Sequence, residues 1–311
     1  MTDDRPALVV VVGPTASGKT EVAHRLALAA GGEIVSADAF AVYRGMDVGT
    51  AKPSEELRRE VPYHLLDVAE PEEPFSAGRY AAEARRAVEE IVTRGALPIV
   101  VGGSGFYVEA LLKGLPSGQA RSDPLRAALA AWAGRRGHAA AHRVLTVQDP
   151  VAASRIPVGN LKYTLRALEI LLWTGARPSD RVPSRDPWVR RFRVLKLGLA
   201  PGPASLHVRI ENRARRMLDS GWGEEVRRLL DRGLSADSNS FQAIGYREVA
   251  EWILGRIPRG EAEARIVAAT RRLVKRQRTW LARETDIRWV DPEEAVARAL
   301  ALLGEEDRET R

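Results

Sequence analysis

Residues 7–12, Ala-Leu-Val-Val-Val-Val, form a short β-rich apolar run that stops at Gly13-Pro14, the pattern of a strand buried on both faces of a parallel sheet. The period changes at once. Over residues 18–30 the apolar positions Val22, Leu26 and Ala29 recur at helical spacing, so a helix follows the strand directly. A second strand is predicted over residues 33–36, ending just before Asp38. A helix at 76–93 with Ser76 as its N-cap comes next, then a third strand at 97–101 that ends in Gly102-Gly103. Strands alternating with helices predict an α/β fold with a parallel sheet and right-handed crossovers. Ligands of such sheets lie at the carboxyl ends of the strands, where Gly13, Asp38 and Gly102 all fall.

From about residue 118 the strand signal disappears. Helical patterns at 124–136, 137–145 and 160–174, closed by a Pro-rich loop at 177–187, predict a helical insertion. A strand returns at 192–199, followed by helices near 206–219, 224–232, 246–254 and 262–283, a short terminal helix, and a charged, frayed tail at 305–311. The expected division is a core at 1–117, an insertion at 118–190 and completion of the core at 191–311.

With 311 residues, the chain exceeds the usual size of a single core, which agrees with that division. It has no cysteine, which excludes disulfides and thiolate chemistry, and no 18-residue apolar run. MTDDRP lacks the basic flank and apolar core of a signal peptide, so a cytoplasmic protein is expected, and with no coiled coil or long apolar patch evident a monomer is expected. The net charge of +7 favours a polyanionic partner. Much of it falls on one helix: Arg265, Arg271, Arg272, Lys275, Arg276, Arg278 and Arg283 stand within 262–283 with almost no acid among them, the pattern of a nucleic-acid backbone contact.

Gly13, Pro14, Thr15, Ala16, Ser17, Gly18, Lys19 and Thr20 fit the phosphate-loop pattern G-x-x-x-x-G-K-[ST], with a strand before and a helix after. The glycines let backbone N–H groups turn toward phosphate oxygens, Lys19 neutralises the outer phosphate, and the Thr20 hydroxyl can hold Mg²⁺. Asp38, at the next strand end, can accept a proton from a nucleophile or serve only as a turn cap. Gly102-Gly103-Ser104-Gly105 offers a close backbone approach and a hydroxyl to the same crevice. Arg209 and Arg213, one helical turn apart, can clamp phosphates or remain a solvated basic face. These features alone admit a small-molecule kinase, a nucleotide-switched RNA-binding protein, or a transferase acting on RNA.

The stretch from Asp38 to Pro53 (DAFAVYRGMDVGTAKP) closely resembles the tRNA dimethylallyltransferase (tRNA isopentenyltransferase) family. Further matches are Tyr63-His64-Leu65-Leu66-Asp67, Gly102–Gly105 with Phe106-Tyr107, Arg166-Ala167-Leu168-Glu169, Gln242-Ala243-Ile244-Gly245-Tyr246, and Lys275-Arg276-Gln277-Arg278-Thr279-Trp280-Leu281. The resemblance implies a P-loop NTPase-like parallel sheet with helices on both faces and a helical insertion that grips the anticodon stem-loop of tRNA. It implies transfer of a dimethylallyl group from dimethylallyl diphosphate, with Mg²⁺, to N6 of adenosine 37. Lys19, Asp38 and Ser104 would be catalytic, and Gly13–Thr20 with Arg209 and Arg213 would hold the diphosphate. The tRNA contacts it implies are Asp38, Ala39, Phe40, Ala41, Ser104, Arg126, Lys162, Arg166, Gln242, Gly245, Tyr246, Arg247, Lys275, Arg276, Arg278 and Trp280. Ala39 and Ala41 depart from the Ser and Gln usual in the family, which weakens or reroutes the expected base contacts there.

Overall fold

The computed structural model describes residues 5–115, 123–180 and 187–308. Its backbone contacts divide the chain into two compact units, Met1–Leu112 with Pro187–Arg311, and Lys113–Asp186.

In the first unit, β1 (Ala7–Val12) leads through the phosphate loop into α1 (Lys19–Ala30), then β2 (Gly32–Ser36), a short α2 (Glu55–Glu60) and a two-residue β3 (Tyr63–His64). After α3 (Ala77–Thr93) come β4 (Leu97–Gly102) and α4 (Gly105–Lys113). Ser76 caps α3 as expected, its Oγ accepting a hydrogen bond from Arg79 N at 3.1 Å. The second unit is helical throughout its regular structure: α5 (Asp123–Arg136), α6 (His138–Gln148), α7 (Pro150–Arg155) and α8 (Leu161–Thr174). Of these α7 was not read from the sequence; its six residues are too few for a periodic signal. Residues 181–186 of the Pro-rich loop lie outside the described residues, as does residue 118, where the insertion was expected to begin.

The chain re-enters the sheet at β5 (Arg193–Leu199) and continues through α9 (Pro203–Asp219), α10 (Trp222–Asp231), α11 (Tyr246–Ile253) and α12 (Arg259–Leu281) to β6 (Arg288–Val290) and α13 (Ala295–Arg308). The tail expected to fray from residue 305 continues α13 as far as Arg308. All six strands are parallel, in the order β3-β2-β4-β1-β5-β6, with Val12 level with both Gly102 and Gly198.

Alternate residues of β1 explain why that strand reads as an unbroken apolar run. Leu8, Val10 and Val12 pack with Tyr80, Ala84 and Leu111 from α3 and α4. Val9 and Val11 face the other way, onto Val22 and Leu26 of α1 and Ala295 and Ala299 of α13. A third apolar cluster joins the loop after β2 (Val42, Tyr43, Met46) to Trp222, Phe241 and Tyr246. That cluster carries the sequence between Asp38 and Thr50 on a fixed base. Among the described residues no helix is long and apolar enough to cross a membrane.

Candidate active site

Three loops converge at the carboxyl edge of the sheet. The first runs from Gly13 to Thr20. Gly18 adopts φ +90°, a left-handed turn that a side chain disfavours, and heads α1 with no side-chain cap, so the first-turn amides stay open to an anion. Lys19 is half-buried, and its Nζ donates to Pro14 O at 3.3 Å. Burial chiefly, and then the neighbouring Arg213, pull its pKa down to about 8, against the opposite pull of Asp38. Thr20 is exposed to the cavity.

Asp38 occupies the turn after β2. Its Oδ1 accepts from Phe40 N at 2.8 Å and Ala41 N at 3.2 Å, so it is indeed a turn cap. The same side chain lines two cavities and is close enough to oppose the effect of burial on Lys19 and Arg213. Capping and site functions therefore coexist. Ser104, at the end of β4, accepts from Ala39 N at 3.3 Å, which ties the third loop to the Asp38 turn.

The loop beyond Asp38 is held by a residue that sequence reasoning did not single out. Glu225 of α10 is 1 % exposed. Its Oε2 accepts from Asp47 N and Val48 N at 2.7 and 2.6 Å, and its Oε1 accepts from Gly49 N at 3.1 Å and the Tyr246 hydroxyl at 2.7 Å. Nearby Lys52, its side chain 1 % exposed, donates to Tyr43 O, Asp47 and Asp67 at 2.6–2.7 Å, and Arg58 also reaches Asp67. Burial works to raise the pKa of Asp67, but the hydrogen bonds from Lys52 and Arg58 outweigh it and hold the carboxyl below its usual range.

These elements border three spaces that share lining residues. A broad cavity of about 1200 Å³ is bordered by Lys19, Thr20, Lys52, Arg58, Arg209, Arg213 and Arg216. A smaller chamber of about 310 Å³ has Thr15, Asp38 and Arg276 beside an apolar wall of Phe40, Ile210, Ala214, Trp222, Ile266 and Leu273. A third space of about 70 Å³, a narrow neck that shares lining residues with both, is lined by Thr15, Lys19, Asp38 and Arg213 among others. Arg213 borders all three, and burial lowers its pKa while Asp38 works against that shift. Lys19, Arg209, Arg213 and Arg216 have no carboxylate within ion-pair distance among the described residues, whereas Lys52, Arg58 and Arg44 are paired to Asp67 and Glu70. On the phosphate-loop side of the cavity these four cations face one acid of the lining, Glu21, so positive charge is in excess there. Among the described residues no group of three His, Cys, Asp or Glu could hold a metal ion.

Several expected contacts fall elsewhere. Tyr246 is fully buried and spends its hydroxyl on Glu225, and Gly245 is buried at the start of α11, so both support the loop rather than face a partner. Trp280 is partly buried against the core, and its ring lies where a side chain on Gly105 would have to go. In the helical unit Arg126 and Arg166 turn onto Glu169, which is 1 % exposed on its side chain, at 2.8 and 3.0 Å. That buried carboxylate requires them there. Lys162 is exposed at the start of α8. Arg247 is exposed near Asp237, and Gln242 lines the chamber while donating to Asn239. On α12, Arg265 pairs with Glu251 and Glu261, and Arg271 with Glu211. Glu261 of the same helix, with Glu251 of α11 and Glu211 of α9, thus offsets part of the charge that the sequence showed with almost no acid beside it. The exposed cations of α12 without such partners among the described residues are Arg272, Lys275, Arg276 and Arg278, and Arg283, expected on the same helix, is exposed just beyond its end at Leu281.

Residues 41–284 match the family described as IPP transferase. The chain is 45 % identical to a tRNA dimethylallyltransferase of Thermomicrobium roseum over 92 % of this chain and 87 % of that protein, and 43 % identical to that of Geobacter sulfurreducens over 91 % of each. Among solved structures it is similar to the full-length tRNA isopentenylpyrophosphate transferase of Bacillus halodurans, with 34 % identity, TM-score 0.71 and 98 % of each chain covered. A eukaryotic dimethylallyltransferase acting on tRNA shares the fold at TM-score 0.80 and 22 % identity, covering 98 % of this chain and 80 % of the other.

Proposed function

The chain belongs to the IPP transferase family, and from that premise we propose that it transfers a dimethylallyl group from dimethylallyl diphosphate to N6 of adenosine 37 in tRNA. The observation that carries this reading is the shared neck: Lys19 and Arg213, which suit a diphosphate, and Asp38, which suits a proton, face one small space. In the reaction the bond from the allylic carbon to the diphosphate oxygen breaks as the N6–carbon bond forms. Diphosphate departs carrying negative charge, and the proton displaced from N6 passes to the Asp38 carboxylate. Lys19, Arg209 and Arg213 stabilise the leaving group where its charge grows. The apolar chamber beyond the neck suits the prenyl tail and the face of an extruded base, and it keeps water from an allylic carbon that gains positive charge.

Magnesium fits as part of the donor complex. With Thr20 as the hydroxyl ligand and no acidic cluster beside it among the described residues, the ion would be held by Thr20 and diphosphate oxygens, a hard-oxygen set. When bound, it neutralises diphosphate charge. Arg272, Lys275, Arg276 and Arg278 provide the exposed cations for the RNA backbone, and a monomer is sufficient for every role named.

Incubation with labelled dimethylallyl diphosphate and unmodified tRNA tests the proposal. Label should reach the tRNA, and ATP turnover without such transfer would overturn it. Asp38→Asn is the informative variant, because it retains Oδ1 as acceptor for Phe40 and Ala41 while removing the base. Turnover should fall at least about 100-fold with donor affinity little changed. A variant that keeps most of its rate removes Asp38 as the base.

A further inference from the structure

The phosphate loop and the Ser104 loop end neighbouring strands, β1 and β4, yet no hydrogen bond of their own joins their tips among the described residues. What joins them is Gln277, a side chain from α12, far away in sequence. It is 8 % exposed, in contrast to its neighbours Lys275, Arg276 and Arg278, which are exposed. Its Oε1 accepts from Thr15 N at 2.8 Å, and its Nε2 donates to Gly103 O at 3.0 Å. Both ends of the amide are therefore used, one on each loop. The fit is close: a Cβ on Gly103 would sit 2.5 Å from the Gln277 Nε2. On one side of this bridge stand Lys19 and Thr20. On the other, Ser104 holds the backbone of Ala39 and with it the turn that Asp38 caps.

We propose that Gln277 is a positioning residue, whose single amide fixes the separation between the phosphate cradle and the Ser104 loop, to which the Asp38 turn is tied through Ala39 N. The inference rests on the reaction proposed above. In that reaction the leaving diphosphate is held by one of the bridged loops and the proton acceptor by a turn that hydrogen-bonds to the other, so an error in their spacing misaligns the reacting atoms even when each substrate still binds. Glutamine suits this position because it carries an NH₂ that donates and a carbonyl oxygen that accepts on one neutral group. Glutamate would keep the bond from Thr15 N but lose the bond to Gly103 O, and would set a negative charge beside the diphosphate. Leucine, of similar size, would lose both bonds and leave the Thr15 amide free. Asparagine, one methylene shorter, cannot span both loops from the same backbone position.

The test uses the full chain and three variants, Gln277→Leu, Gly103→Ala and the double variant. The readouts are thermal stability, affinity for tRNA, affinity for inorganic diphosphate, amide exchange over residues 13–20, and the single-turnover transfer rate. For Gln277→Leu the transfer rate should fall roughly 30- to 100-fold, as for a misplacement on the order of 1 Å, while tRNA affinity changes less than about twofold. Exchange over residues 13–20 should quicken. Gly103→Ala attacks the same contact from the other side and should slow transfer by a similar factor. In the double variant the second change should add little, because the contact is already gone. Additive losses, or a rate that falls only in proportion to folded protein, would reduce Gln277 to a packing residue and overturn the proposal. Unchanged exchange and unchanged rate in Gln277→Leu would do the same. The diphosphate-affinity and exchange measurements do not depend on prenyl transfer. A wild-type protein that transfers no label would therefore refute the proposed reaction while these readouts still judge the bridge.

Discussion

Replacing Glu225 with glutamine changes one oxygen to NH₂ at constant shape, so any loss comes from hydrogen bonding and not from packing. The carboxylate takes four donors: the amides of Asp47, Val48 and Gly49 and the Tyr246 hydroxyl. If the glutamine oxygen keeps the two shorter amide bonds, its NH₂ must face Gly49 N–H and the phenol. The phenol can rotate to accept; the amide cannot. One buried backbone donor is then unsatisfied, at about 1–3 kcal/mol, and the two bonds that remain lose the strengthening a charged acceptor supplies. The sum for Glu225→Gln is roughly 2–4 kcal/mol. Urea unfolding measures the global loss, and amide exchange over residues 46–50 locates it. Exchange there should rise more than in β1, because the anchor is local. Since Asp47, Val48, Gly49 and Thr50 line the donor cavity or the chamber, affinity for diphosphate and transfer should both weaken. A loss under about 0.5 kcal/mol with unchanged exchange would refute the reasoning, because an unsatisfied buried donor costs more than that.

Other outcomes follow from the same geometry. With the Lys19 pKa near 8 in the free protein, kcat/KM should decline as pH rises through that value, while kcat, which reports the diphosphate-bound state, should hold to higher pH. A kcat/KM profile flat to pH 9.5 would contradict this. The linked stability term has the opposite sense: between about 8 and 10.5 the unfolded chain holds the extra proton, so wild-type stability relative to Lys19→Met should rise with pH across that window in urea titrations. Removing Lys275 and Arg278 together should lower the slope of log affinity for tRNA against log salt by about one for each lost phosphate contact, and an unchanged slope would take α12 out of the RNA interface. Arg126→Ala should destabilise the helical unit by roughly 1–3 kcal/mol in thermal unfolding while tRNA affinity moves little, since its partner Glu169 is buried; a selective loss of tRNA affinity would restore it as a contact.

Much of the fold is legible in the sequence because its strands are buried on both faces and its helices are long and periodic. β1, α1, α3 with its Ser76 cap, and α8 begin and end close to where apolar spacing and punctuation place them. What escapes is short or is paid for by tertiary contact: β3 has two residues and β6 three, too few for an alternating pattern, and both exist because a neighbouring strand supplies their partners. The phosphate loop is a local signal and is legible outright. The supports of the site are not, since Gln277 and Glu225 act on backbone more than 170 residues away. The only hint for Gln277 is an uncharged residue in a run of cations, and for Glu225 an acid in a basic half of the chain. The tRNA contacts implied for Tyr246, Arg126 and Arg166 show the converse. A residue can belong to a characteristic motif while its polar group is spent on the scaffold: Tyr246 is buried on Glu225, and Arg126 and Arg166, still partly exposed, pair with the buried Glu169.

The four unpaired cations around the donor cavity have a practical consequence. Lys19, Arg209, Arg213 and Arg216 border one cavity and form no ion pair among the described residues, and Asp38 and Glu21 are too few to balance them, so a suitable oxyanion meets an excess of positive charge there. Ligands that bind only the folded chain raise its stability, by about 2.7 kcal/mol at a hundredfold excess over Kd. Phosphate, sulfate and diphosphate in a buffer are then neither inert background nor neutral choices. They act as partial substitutes for the substrate, steadying the protein in storage and competing with the donor in every assay that contains them.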